Sequence, residues 1–447
     1  TTTRLWLVAI TLLFPFPHEQ LMALKNLCHA VTTNYLETMK AGLIGIIFIL
    51  AALQLAAQKN CVSHSYQQQQ FTYDPTLQDR NNTVESFIRN QLIHANSLRI
   101  EGTETVIKIP VVVHILYHYP SEKISDEQVY SQIDALNKAF RRKNADTINT
   151  PAWFRPLAAD CEIEFQLAIS DPRRRSTTGI IRKYTPIKSW EANDKMKFSS
   201  EMGSDAWDSK SYLNIWVCNL ESVAGYSSVM GGPAEKDGIV IGFSAFGTNT
   251  GMTGYEMGKT AVHETGHWLG LKHLWGDEYC GDDGITDTPR QAGNNVGCPT
   301  GIRGSCNNGP NGDMYMNYMD FTSDACMNLF TKGQKEKMRA LFASGGLRNP
   351  LLSSKGLQMP LIMESPLPEQ DPKWLEVKMY PNPASTELYL DLAYDTRWIG
   401  KNIFVTNLQG QHLMNVTITS KNQRIDISRL QPGIYFIAAK KDDGESI

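Results

Sequence analysis

The run His263-Glu264-Thr265-Gly266-His267-Trp268-Leu269-Gly270-Leu271-Lys272-His273 places three imidazoles and one carboxylate at fixed spacing. Residues four apart on an α-helix lie one above the other, so His263 and His267 present their rings to a common point. Gly270 can end that helix in a left-handed conformation and return His273 to the same point. Three neutral nitrogens suit a zinc ion and leave its fourth tetrahedral position for a water, whose pKa falls to about 7. Glu264, directly after the first histidine, projects beside the ligands and suits the general base. The expected chemistry is hydrolysis by an activated water. No charged outer face surrounds the helix, so it is expected to be buried, which would hold the ligands rigidly.

The elements that must position these residues follow from periodicity. Residues 107–117 are a β-branched run and read as a buried strand. Ser125-Asp126-Glu127-Gln128 is a capping box opening a helix to about Arg142. Strands are expected at 163–169, 212–220 and 238–243, then the histidine helix, an irregular stretch, and a last helix opened by Thr331-Lys332-Gly333-Gln334 and running to Phe342. Upstream, 58–98 is polar, with Gln67 to Gln70 and an amphipathic helix at 84–98, and reads as a pro-segment. His114 and His118 read as core or surface residues rather than ligands.

The longer pattern resembles the metzincin signature, with Met319 in Asn317-Tyr318-Met319-Asp320 as the methionine turn beneath the metal. The stretches 232–240, 281–289 and 324–331 resemble the pappalysin branch, the secreted ulilysin- and cytophagalysin-like peptidases, and the likeness covers about 105–349. It implies an α+β metzincin catalytic domain at 99–349: a twisted β-sheet with an active-site helix over an irregular lower subdomain. It also implies zinc, protein or peptide substrates, and calcium near the cleft. Asp282, Asp283, Asp287 and Thr288 bring hard oxygens to a glycine-rich loop and are the expected calcium ligands, with a solvated turn as the alternative. An aspartate matching Asp324 selects arginine after the scissile bond in related enzymes. Pro-segment cysteines silence family members through the zinc, so Cys61 is a candidate latch; a plain disulfide partner is the competing account. The family often has a tyrosine two residues after the turn methionine that stabilises the oxyanion. This chain has Phe321, which cannot donate that bond.

Cys280, Cys298, Cys306 and Cys326 crowd the segment after the histidines, and four cysteines permit three pairings. The resemblance favours Cys280 with Cys306 and Cys298 with Cys326. The absence of a C-x2-C knuckle argues against a second, cysteine-bound zinc. Disulfides suit an oxidising compartment. Met39-Lys40 and the apolar run to Leu53 read as a signal peptide at 39–57, with a membrane anchor as the alternative, leaving 1–38 as a non-native upstream extension.

With 42% apolar and 20% charged residues and a net charge of −3, the 447-residue chain is globular and exceeds one domain. It has no basic patch for nucleic acid. A linker is expected at 350–373. Beyond it, short strands at 387–392, 402–407, 412–418 and 433–439 imply a small all-β sandwich at 374–447. Its YPNPA and LQPGIYF elements resemble the type IX secretion sorting domain, which implies export through the periplasm, an outer-membrane partner, and a secreted or cell-surface protein. The catalytic domain is expected to be monomeric. The reading from another class is a zinc-stabilised surface-binding protein without catalysis.

Overall fold

A computed structural model of the chain describes residues 61–97, 106–250, 252–363, 377–392 and 398–439. The expected upstream extension and signal peptide, and the expected pro-segment boundary at 98, lie outside the described residues.

The region that carries the histidine motif is built on a six-stranded sheet in the order β2 (Ile163–Leu167), β1 (Ile107–Tyr117), β4 (Leu213–Cys218), β6 (Ile239–Gly242), β5 (Gly225–Ser227), with β3 (Ile180–Tyr184) on the same edge of β1 as β2. Strand β1, Ile107–Tyr117, is long enough to pair β2 (Ile163–Leu167) through its first half and β3 (Ile180–Tyr184) through its second. Its other edge pairs β4 (Leu213–Cys218), which pairs β6 (Ile239–Gly242). These pairings are all parallel, and ten of the eleven β1 residues are buried, as expected of a sheet covered on both faces. Strand β5, Gly225–Ser227, is antiparallel to β6 and forms the edge nearest the histidine helix. The sequence reading missed β3 and β5. Half-exposed Ile-Ile-Arg-Lys-Tyr alternates weakly, and Gly-Tyr-Ser, with a single strand-favouring residue among three, is too short to read as a strand.

Helix α1, Ser63–Tyr73, occupies the glutamine-rich stretch, and α2, Pro75–Ser97, starts well before the expected 84. Glutamine is a good helix former, and Pro75 sits at a first-turn position, where its missing N–H costs nothing. Helix α3, Asp126–Phe140, is capped by Ser125, whose hydroxyl accepts the Gln128 amide at 3.2 Å. Helix α4, Lys259–Trp268, carries the histidines and buries nine of its ten residues, all but His267. Helix α5, Lys332–Ala340, opens with the expected box of Thr331 and Gln334.

The 350–373 stretch departs from the linker expectation in its first part. Residues 349–353 form a 3-10 turn, Leu351 is buried, Ser354 donates to the Ser211 carbonyl, and Ile362 bridges Arg175. Hydrophobic and backbone contacts therefore hold the chain on the region of the six-stranded sheet up to 363. Downstream, two three-stranded antiparallel sheets follow. They are β10 (His412–Thr417), β9 (Asn402–Asn407) and β12 (Tyr435–Ala439), and then β11 (Asn422–Asp426), β8 (Glu387–Asp391) and β7 (Lys378–Tyr380). Leu388, Leu390, Trp398, Ile403 and Ile425 close a small core of their own. Strands β7 and β11 had not been expected.

Candidate active site

The histidine helix ends where glycine permits it. Gly270 has φ +86°, and the chain turns so that His273 rejoins His263 and His267. His267 Nε2 lies 3.1 Å from the Nε2 atoms of both His263 and His273. The opposite nitrogens fix the tautomers. His263 Nδ1 donates to the Tyr318 carbonyl at 2.7 Å, His267 Nδ1 to the Leu271 carbonyl at 2.8 Å, and His273 Nδ1 meets the Asp277 carboxylate. All three Nε2 atoms then carry lone pairs, and three converging lone pairs without a proton between them repel. A cation removes that repulsion. Nitrogens about 2.0–2.1 Å from a tetrahedral zinc stand about 3.3 Å apart, close to the spacing here, so the donor set fits zinc.

Asp277 escaped the sequence reading. It has φ +64°, a left-handed conformation uncommon outside glycine, which curls the chain so that its carboxylate reaches His273 four residues back. Trp275 lies flat on the His273 ring, centroids 4.5 Å apart, and Phe321 meets His273 edge-on at 4.8 Å. The aromatic pair walls the third histidine.

Two further supports hold α4. Asp324 is buried, and its Oδ2 accepts the Met257 and Lys259 amides at 3.0 and 3.1 Å, so its carboxyl group caps the helix N-terminus. At the other end Arg348 pairs with Asp237, lies over the Trp268 ring at 3.8 Å, and donates to the Trp268 carbonyl. Met319 is buried beneath the helix. A Cβ at Gly266 would stand 2.5 Å from its sulfur, so the methionine turn and the helix approach as closely as glycine allows. Nothing in the periodicity had singled out Gly266 or Arg348.

Glu264 is fully buried, and its Oε2 accepts the Ser63 hydroxyl at 2.8 Å. Ser63 in turn accepts the Ser227 amide of edge strand β5 at 2.9 Å. Two residues earlier, Cys61 pairs with Gly225 of the same strand and its Sγ lies 3.6 Å from His267 Nε2. Among the described residues, Cys61, His263, His267 and His273 form one group whose donor atoms all lie within 4.8 Å of one another. Burial, and then the nearby Glu264 carboxylate, push the Cys61 thiol upward.

The acidic loop is arranged differently from the expectation of four ligands turned to one centre. Asp287 is turned to α5, where it accepts the Thr331 hydroxyl and the Gly333 amide. Asp283 is buried and accepts the Thr288 hydroxyl and the Ile285 amide, while Asp282 is exposed and paired with Arg290. Burial pushes Asp283 up to about 6. A cavity of about 290 Å³ is lined by Asp282, Asp283, Thr288 and Arg290 but not by Asp287. The disulfides are Cys280 with Cys306 and Cys298 with Cys326, the pairing that the resemblance implied; Cys161 and Cys218 are buried thiols. His114 is a core residue, stacked on Trp216 and bonded to Ser204 and Asn214.

Residues 197–343 match the family model described as pregnancy-associated plasma protein-A, and 378–447 match the secretion system C-terminal sorting domain. An extracellular metalloprotease of Pyricularia oryzae is 46% identical over 110 residues, 24% of this chain and 38% of its own length. Extracellular metalloprotease 1 of Coccidioides posadasii is 42% identical over 257 residues, 55% of this chain and 82% of its own. Mature mirolysin of Tannerella forsythia, solved with a cleaved peptide, is 46% identical with a TM-score of 0.55, covering 56% of this chain and 97% of that one. A variant of Tannerella forsythia promirolysin is 42% identical with a TM-score of 0.60, covering 66% and 96%. With its zinc-binding geometry, its sheet and these relatives, the chain belongs to the pappalysin family of secreted zinc metalloproteases.

Proposed function

We infer that this chain is a secreted zinc endopeptidase held latent by residues 58–98. The observation that carries the reading is the meeting of five groups: three Nε2 lone pairs, the Glu264 carboxylate beside them, and the Cys61 thiol at the remaining corner. Zinc bound by His263, His267 and His273 supplies Lewis acidity and lowers the pKa of water to about 7. Cys61 keeps water from that corner, and Ser63 keeps the base occupied. When the segment leaves, Glu264 takes the proton of the attacking water and returns it to the leaving amine. Edge strand β5 then has free backbone groups to bind a peptide substrate in extended form.

The non-catalytic alternative fits a closed set of three histidines and one cysteine. It gives Glu264 no purpose, and the cysteine belongs to a segment that is expected to be removed. The separating experiment is cleavage of casein by the activated protein. Glu264→Ala is expected to lower turnover by about 10²–10⁴-fold with zinc content unchanged. Undiminished cleavage in that variant would contradict the assignment of the base.

Finer roles complete the proposal. Asp324 is our candidate for preferring arginine after the scissile bond, by charge pairing. Its structural duty at the head of α4 means that Asp324→Asn tests selectivity better than alanine does. Calcium is proposed at Asp282, Asp283 and Thr288, with Asp287 assigned to the α5 cap. A cation there would stabilise the buried Asp283 carboxylate, so calcium should raise the melting temperature and Asp283→Asn should abolish that rise. The catalytic domain is proposed to act as a monomer. The sorting domain directs the chain to the outer-membrane secretion machinery.

A further inference from the structure

Helix α1 buries only Ser63 and Tyr66. Tyr66 enters a box made entirely by the catalytic region. Its hydroxyl donates to Asp194 Oδ2 at 2.5 Å, and its ring packs on Tyr226 with centroids 4.8 Å apart. Asp194 is buried with φ +67°, and its Oδ1 pairs with the buried Lys197 at 2.8 Å and accepts from Tyr226 at 3.2 Å. Lys236 stands 3.4 Å from Oδ2, and Met196 closes the floor against Tyr226. Burial alone would raise the Asp194 carboxyl, but Lys197, Tyr66 and Lys236 outweigh it and hold it below its ordinary value. The acceptor is therefore an anion. Burial, and then Asp194, push the Tyr66 phenol far up, so it remains a donor. A hydroxyl bonded to a buried carboxylate is worth more than a neutral pair, and removing it leaves a desolvated oxygen unmet.

Other contacts of the segment also lie away from the zinc corner. Arg80 Nε donates to the Gly231 carbonyl at 2.9 Å, and Leu77 is buried against the same cluster as Tyr66. None of these contacts depends on the covalent link between 97 and 106. Building on the latency reading, we propose that the Asp194 box is a tyrosine-binding site of the catalytic domain. It retains the pro-segment after the chain is cut, so severing the chain does not by itself open the zinc corner. Activation then requires a second event, dissociation or destruction of the segment around Tyr66.

The test uses activated protein and a synthetic peptide spanning residues 61–97. Binding is read by fluorescence anisotropy of labelled peptide, which needs no catalysis, and inhibition is read in parallel with casein. The peptide is expected to bind and inhibit. Tyr66→Phe in the peptide should weaken binding about tenfold or more, and Gln69→Ala should leave it unchanged. The Cys61→Ala peptide should still displace the labelled one. Failure of the peptide to bind, or a Tyr66→Phe peptide binding within about twofold of the original, would overturn the proposal. Absence of casein cleavage by the activated protein before any peptide is added, with peptide binding intact, would count against the peptidase reading alone.

Discussion

Helices α4 and α1 meet at the same few ångströms of space but are built in opposite ways. Helix α4 buries nine of ten residues and is clamped at both ends, by Asp324 at its first amides and by Arg348 with Asp237 at its last turn. Helix α1 buries two residues of eleven, and beyond its first turn only Tyr66 goes deep. On the function proposed above, the difference separates machinery from latch. A catalytic constellation needs fixed ligands, whereas a removable inhibitor needs a few strong anchors on an otherwise soluble helix.

Substitutions can break that contrast, beginning with the largest effect. Arg348→Met takes the ion partner from half-buried Asp237, which keeps only its hydrogen bonds from Trp268 and Ser228, and is expected to lower stability by about 3 kcal/mol in urea denaturation of the zinc-loaded protein. His114, behind the helix in the sheet, is held near 4 by burial, well below its ordinary 6.5. Its neutral form is the folded one, so its stabilisation is present above pH 6.5 and is lost as pH falls toward 4. The full loss is about 3 kcal/mol, and His114→Gln should flatten the acid limb of stability by up to that amount relative to wild type. Gly266→Ala drives a Cβ against Met319 and should cost about 1–3 kcal/mol and weaken zinc retention during dialysis against chelator. On the other side of the comparison, Gln69→Ala on the exposed face of α1 should change stability by no more than about 0.5 kcal/mol. A large loss there would show that the latch helix is integral to the fold.

The same contrast governs how much could be read beforehand. The convergence of the three histidines, the turn at Gly270, strand β1 and the cap at Ser125 are local patterns, and each needs only neighbours within a turn or a strand. Strand β5 is three residues whose pairing is dictated by β6, and the Arg348 to Asp237 pair spans 111 positions, so neither leaves a local trace. Asp277 was within reach, because a carboxylate four residues beyond a ligand histidine is a plausible partner for its second nitrogen. Asp287 misled because composition gives the oxygens of a loop and not the direction in which they face. Tyr66 was hidden for the converse reason, a single aromatic in a polar run whose partner Asp194 lies 128 positions away.

The central claim concerns one coordination shell that changes a single member. X-ray absorption at the zinc edge, on the latent chain and after removal of the pro-segment, reads it directly. The account predicts three nitrogens and one sulfur in the latent form, with the sulfur replaced by a light atom on activation and cleavage appearing in step. A latent form without zinc, or a zinc shell lacking sulfur, would contradict it.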